Sequence, residues 1–160
     1  MTYIETNDTQ NEHSKQIDLV SVKLVREKSI SYLQNVISKP HQIAKIFSDL
    51  INDSDKEQFV ICCLNTKNQP TNISVISIGC LDCTLVHPRE VFKVAILSNA
   101  SAIILGHNHP SGNVEPSVDD KNMTKRICEV GKIHGIKVID HIIVGYDNNY
   151  LSFRESGYIL

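Results

Sequence analysis

Residues 59–64, FVICCL, are six apolar side chains in a row. In a strand, successive side chains point to opposite faces, so such a run has no solvent-facing side. Both faces must be covered, as happens when a sheet lies between helices. The run EQFVICCLN, residues 57–65, is therefore read as a buried strand with Cys62 and Cys63 on opposite faces. TKNQP supplies a turn. TNISVISIG, residues 71–79, is the second arm of a β-hairpin, with Ile73, Val75 and Ser77 on one face.

Helical periodicity surrounds this hairpin. After Pro40, HQIAKIFSDLI places Ile43, Ile46, Phe47, Leu50 and Ile51 at helical spacing. Pro88 opens a second helix, REVFKVAILSNA, with Val91, Val94, Ala95 and Leu97 available to a buried face. A third runs from Ser117 to about His134, turning Met123, Ile127, Val130 and Ile133 inward. SAIILGHNH, GIKVIDHIIVG and YLSFRES read as strands, and IDLVSVKLV, residues 17–25, as an earlier one. SISYLQNVISKP fits either a strand or an approach to the first helix. The order predicts an α/β sandwich with a mixed sheet. Residues 1–16 are polar and aperiodic, which predicts a disordered or loosely attached tail, with residues 17–160 as one domain.

Charge and cysteine usage narrow the function classes. A net charge of −2 provides no overall footprint for nucleic acid, although Lys121, Lys125, Arg126 and Lys132 form a weak basic strip on the third helix. No apolar run reaches the roughly 18 to 20 residues that a membrane span needs. With no secretory pattern at its start, the chain is expected in the cytoplasm with reduced thiols. Cys80-x-x-Cys83 has no second pair, so small residues in a hairpin are favoured there over a zinc or redox site.

The stretch GHNHPSGNVEPSVDD, residues 106–120, carries the chemistry. Strand alternation projects His107 and His109 together, and Pro110 holds the preceding residue extended. PSGN reverses the chain. A helix then starts at Pro116-Ser117 with Asp120 in its first turn. Two imidazoles and a carboxylate suit Zn²⁺ and leave a fourth position for water. Ser117-x-x-Asp120 also matches a helix capping box, and the two readings are compatible. There is no H-E-x-x-H, and no H-x-E with P-C-x-x-C, so zincin and zinc-deaminase patterns do not compete.

His107-x-His109, seven residues, then Ser117-x-x-Asp120 resembles the JAMM motif of the MPN (JAB) metalloprotease fold. VHPREVF at 86–92, LGHNHPSGNVEPSVDD and VIDHIIVG at 138–145 resemble the RadC branch of it, over roughly residues 40–160. The resemblance implies an MPN/JAB-like (cytidine deaminase-like) fold, a mixed β-sheet sandwiched by helices. It implies zinc on His107, His109 and Asp120, with an upstream glutamate as the base. Glu57, at the start of a strand, matches that placement better than Glu90 in a helix, and Glu115 is read as solvated. Ser117 would donate to the oxyanion. The implied reaction is hydrolysis of a peptide or isopeptide amide, with a protein or peptide as substrate. Related readings are a DNA-repair-associated protein or nuclease of RadC type, and a non-catalytic MPN interaction module. RadC-type proteins often carry an N-terminal helix-hairpin-helix segment, and the short polar start here points to the stand-alone domain form. His87 and His141 lie in matching strings outside the metal motif and are read as buried or hydrogen-bonded. Arg89 binds a substrate carboxylate or pairs with an acid.

Overall fold

The computed structural model describes residues 16–33, 35–79 and 86–159. Along the chain it forms α1 (Pro40–Ile51), β1 (Gln58–Leu64), β2 (Pro70–Ile78), α2 (Pro88–Leu97) and β3 (Ala102–Asn108). Then follow α3 (Val118–His134), β4 (Lys137–Val144), a 3-10 turn (Tyr146–Asn148) and β5 (Tyr150–Ser152). One mixed sheet has the order β2-β1-β3-β4-β5. β3 and β4 are parallel and α3 makes the crossover that a parallel pair requires; the other pairs are antiparallel.

Both faces of the sheet are covered, as FVICCL demands. Val60, Cys62 and Leu64 pack with Ile43, Phe47 and Ile51 of α1. Phe59, Ile61 and Cys63 pack with Val91 and Phe92 of α2 and Ile127 of α3. Burial, and then the neighbouring Cys63, push the Cys62 thiol up to about 12, and burial also raises Cys63. Neither is a thiolate at neutral pH, so the pair is core rather than chemistry. Cys80 and Cys83 lie outside the described residues.

Helix ends follow local signals. Pro40 opens α1, and Gln42 Oε1 accepts from the N–H groups of Ser38 and Lys39 at 2.9 and 3.0 Å. Gly135 ends α3 in the left-handed region at φ 68°, where its N–H caps the carbonyls of Gly131 and Lys132.

Three expectations differ from the structure. Residues 17–25 form no strand; Ile17 and Leu19 are 97% and 103% exposed. Alternation supplies a face, but a strand also needs a ladder partner, and this segment pairs with none of the five strands. The described part of 29–39 is neither strand nor helix and leads into α1, the second of the two readings of that stretch. In β2 a register shift opposite Phe59/Val60 breaks the expected face: Ile73 and Val75 pair with Cys62 and Val60 of the α1 side, whereas Ser77 pairs with Phe59 of the α2 side, and Val75 is left 43% exposed. In α3 Ile127 is buried and Met123 and Val130 pack against the core as expected, but Ile133 is 81% exposed and the buried stripe also includes Asp120, Thr124 and Gly131. Two polar residues hold places that an apolar pattern does not flag. The expected tail at 1–16 falls almost wholly outside the described residues.

Candidate metal centre

β3 aims the first histidine. Ile103 and Leu105 face the α2–α3 layer, whereas Ala102 and Ile104 face α1. Gly106 lies on the α1 side, where a Cβ would stand 2.4 Å from the Phe47 ring. His107 therefore points toward α3, at the end of the strand, and is fully buried. His109 continues the extended run, its N–H donating to the Val144 carbonyl at 3.1 Å. The reversal follows at once: the Gly112 N–H donates to the His109 carbonyl at 2.8 Å, and Gly112 has φ 78°. A Cβ there would meet the Tyr146 ring at 2.2 Å, and the Tyr146 hydroxyl donates to the Pro110 carbonyl. The loop is thus held down on the segment that follows β4.

The start of α3 aims the carboxylate. Ser117 caps the helix by accepting from the Asp120 N–H at 3.1 Å. Its own hydroxyl and N–H donate to Asp120 Oδ2 at 2.6 and 2.8 Å. Asp120 Oδ1 lies 3.4 Å from His107 Nε2, and Oδ2 lies 3.7 Å from His109 Nε2. The two Nε2 atoms are 3.0 Å apart. One ligand atom from each of His107, His109 and Asp120 falls within 4.8 Å of the others. Capping and convergence occur together.

The donor set suits a cation. The Asn113 carbonyl can only accept, so His109 Nδ1 carries a proton there, and Nε2, which donates to Asp120 when protonated, is the nitrogen left for a metal once that proton is displaced. Burial pushes His107 down to about 4, against the opposing charge of Asp120. Burial alone would raise Asp120, but the His109 hydrogen bond, the His107 charge and the Ser117 bonds outweigh it and hold the carboxyl well below its usual range. The hydrogen bond to Asp120, working against burial, raises His109. A neutral His107 and an ionised Asp120 at neutral pH are the forms that metal ligation requires.

Glu57 sits one residue before β1. The antiparallel register pairs Phe59 with His107, and their rings are stacked at 6.2 Å. Carried two residues further, that register sets Glu57 opposite His109 on the same face. The Glu57 charge is among the influences that raise His109. Asn108, between the two histidines, turns the other way. It donates to the Lys56 carbonyl at 3.1 Å and accepts from the Gln58 N–H at 2.7 Å. The two bonds bracket Glu57, whose carbonyl accepts from the Gly79 N–H at 2.9 Å. Sequence reasoning passed over Asn108; the only signal was an amide between two candidate ligands.

The remaining candidates lie elsewhere. Glu90 is on the outer side of α2, paired with Lys93 and 3.6 Å from Arg89 Nε, so Arg89 pairs with an acid. Glu115 is exposed. His87 caps α2, its Nδ1 accepting from the Arg89 N–H at 3.2 Å. His141 is buried and hydrogen-bonded, as expected, but its partner is His107: the rings meet at Nδ1 and Nε2, 2.7 Å apart. Lys121, Lys125 and Lys132 line an open groove of about 770 Å³ beside α3, together with Lys137 and Tyr158. The Lys121 ammonium stands 4.6 Å from the Tyr158 ring centroid. Arg126 is not part of that lining. Among the described residues no helix is long and apolar enough to cross a membrane.

Residues 37–158 match the family model described as RadC-like JAB domain. A UPF0758 protein of Rubrobacter xylanophilus is 45% identical over 141 residues, which cover 87% of this chain and 61% of that protein. One from Desulfitobacterium hafniense is 48% identical over 122 residues, 76% of this chain and 53% of the relative. Another, from Clostridioides difficile, is 48% identical over 131 residues, 82% and 55% of the respective chains. The aligned part thus spans little more than half the length of these relatives.

Proposed function

The chain belongs to the RadC-like JAB domain family, and from that premise we propose that it is a zinc-dependent hydrolase cleaving a peptide or isopeptide amide. One observation carries the reading: a neutral buried imidazole, a second imidazole and an ionised carboxylate converge within 4.8 Å. The register that sets Glu57 opposite His109 supports it.

His107, His109 and Asp120 would hold the ion. When bound, zinc supplies Lewis acidity that makes water a nucleophile near neutral pH, at a pKa of about 7. Glu57 takes the proton as water adds to the carbonyl carbon, the C–O bond forming and the carbonyl π pair moving to oxygen; it then passes that proton to the amine nitrogen as the carbonyl re-forms and the C–N bond breaks. Asn108 holds the backbone on either side of Glu57 and so keeps the base at one distance from the ligands. Ser117 orients Asp120 at rest. Rotation about its Cβ–Oγ bond offers the same proton to the oxyanion of the tetrahedral intermediate. Substrate enters from the loop side, where Ser117 is exposed and His109 half-buried, rather than past fully buried His107. A cytoplasmic setting accords with free Cys62, Cys63 and Cys128.

The lysine-lined groove beside α3 favours a second reading, a nucleic-acid-associated role of RadC type. The intact ligand set counts against a purely non-catalytic module. The deciding experiment is elemental analysis of the purified chain, followed by assay of the zinc-loaded protein on linear peptides, isopeptides and nucleic acids. Absence of zinc after supplementation would sink the hydrolase reading.

A further inference from the structure

We propose that His141 and Thr124 are positioning residues that decide which nitrogen of His107 carries its proton, and so whether that ring can bind a metal at all. The proposal rests on the metal-site reading above. Its carrying observation is an unbroken hydrogen-bond chain that starts on one ligand and ends on another. His107 Nδ1 is 2.7 Å from His141 Nε2, and His141 Nδ1 is 2.6 Å from Thr124 Oγ1. The Thr124 hydroxyl is in turn 2.6 Å from the backbone carbonyl of Asp120.

The direction of the chain follows from counting protons. A carbonyl can only accept, so the single hydroxyl proton of Thr124 goes to Asp120. Thr124 Oγ1 is then an acceptor toward His141, and the His141 proton sits on Nδ1. A neutral imidazole has one N–H, so His141 Nε2 accepts and His107 Nδ1 donates. That leaves the lone pair of His107 on Nε2, the atom 3.0 Å from His109 Nε2 and 3.4 Å from Asp120 Oδ1. Were the Thr124 hydroxyl turned to His141, its bond to the Asp120 carbonyl would be lost, both bonds of His141 would reverse, and His107 would aim an N–H at the metal position. Asp120 thus acts twice, as a ligand through its side chain and as the anchor of the tautomer chain through its carbonyl.

A register shift puts His141 in place. Val138 pairs with Ile103, but Ile104 pairs with Asp140, so two β4 residues oppose one step of β3. Val138 packs in the α2–α3 core. Unbroken alternation would put Asp140 on that face; the shift puts His141 there, beside His107. Asp140 then holds the ring's surroundings. Its Oδ1 accepts from the His141 and Arg154 N–H groups at 2.7 and 3.0 Å, and its Oδ2 accepts from Ser152 Oγ at 2.6 Å. Phe153, between those two partners, stacks on the His141 ring at 4.5 Å.

The test reads the tautomers directly, in ¹⁵N-histidine-labelled full chain treated with chelator. Long-range ¹H–¹⁵N spectra are expected to show His107 and His141 both protonated on Nδ1; a His107 proton on Nε2 would overturn the proposal. Zinc affinity, by competition with a chromophoric chelator, is the second readout. Thr124→Val is expected to weaken zinc binding about 10- to 100-fold, the usual effect of losing an outer partner of a ligand. Thr124→Ser restores it, because the hydroxyl returns. Wild-type affinity in a folded Thr124→Val protein would overturn the proposal; if that variant does not fold, the wild-type spectra still decide. Neither readout uses turnover: zinc binding without hydrolysis would end the hydrolase reading alone, and failure of the wild type to bind zinc would end both.

Discussion

Asn108 Oδ1 accepts the Gln58 N–H at 2.7 Å across 50 residues of chain. The same side chain donates to Lys56, so one amide grips the backbone on both sides of Glu57. Because Asn108 also separates His107 from His109, ligands and base are fastened to one residue of β3. Asn108→Leu is expected to keep its zinc and lose about 10²-fold in turnover, the scale of a small misplacement of a catalytic group. Stability should fall by about 1 kcal/mol, since two part-buried hydrogen bonds to the backbone are lost. Elemental analysis, single-substrate kinetics and urea unfolding check the three parts; unchanged turnover would sink the positioning role.

Removing ligand and base should separate binding from chemistry. Asp120→Ala is expected to purify without zinc and to lose about 1 kcal/mol at the start of α3, where the carboxylate accepts from Ser117. Glu57→Gln should retain stoichiometric zinc and lose turnover. Full activity in Glu57→Gln would remove Glu57 as the base.

Acid should destabilise the chelator-treated protein before the carboxylates titrate. Burial pushes His107 down to about 4 and His141 well below its usual value. The unfolded chain takes up those protons near pH 6.5, the folded chain only lower, so the unfolded state binds more protons in between. Stability contributed by the neutral rings is therefore full above about pH 6.5 and declines as pH falls toward about 4. Urea midpoints at pH 7.5, 6.0 and 5.0 should drop in that order, the two depressed rings outweighing raised His109, which gains stability on acidification; a rise would mean that His109 dominates instead.

The lysine groove should not retain duplex DNA at physiological salt. Lys121, Lys125, Lys132 and Lys137 are too few for tight phosphate binding in a chain of net charge −2. A gel shift in low and moderate salt, with Lys125→Glu/Lys132→Glu as the control, checks this. Retardation that persists at moderate salt and disappears in the double variant would favour the nucleic-acid reading.

Much of the centre was legible because its parts are local. His107 and His109 share a face by strand alternation, the turn is marked by Pro110 and Gly112, and Ser117-x-x-Asp120 both caps α3 and turns its carboxylate toward the histidines. His141 stood in a recognisable string, but its contact with His107 spans 34 residues and depends on the shift in β4. Thr124 carried no signal, since a threonine in a helix is ordinary until its neighbours are known.

By itself, the sequence determined what depends on a few neighbouring residues: a strand buried on both faces, three helices with their Pro and Gly boundaries, and two imidazoles brought round to a carboxylate. Tertiary structure alone decided which strands found partners, leaving residues 17–25 without one, and which register each pair adopted. The physical reason is parity. One residue of slip between distant strands exchanges every inward and outward side chain beyond it. Such a shift faces His141, rather than Asp140, toward the ligands.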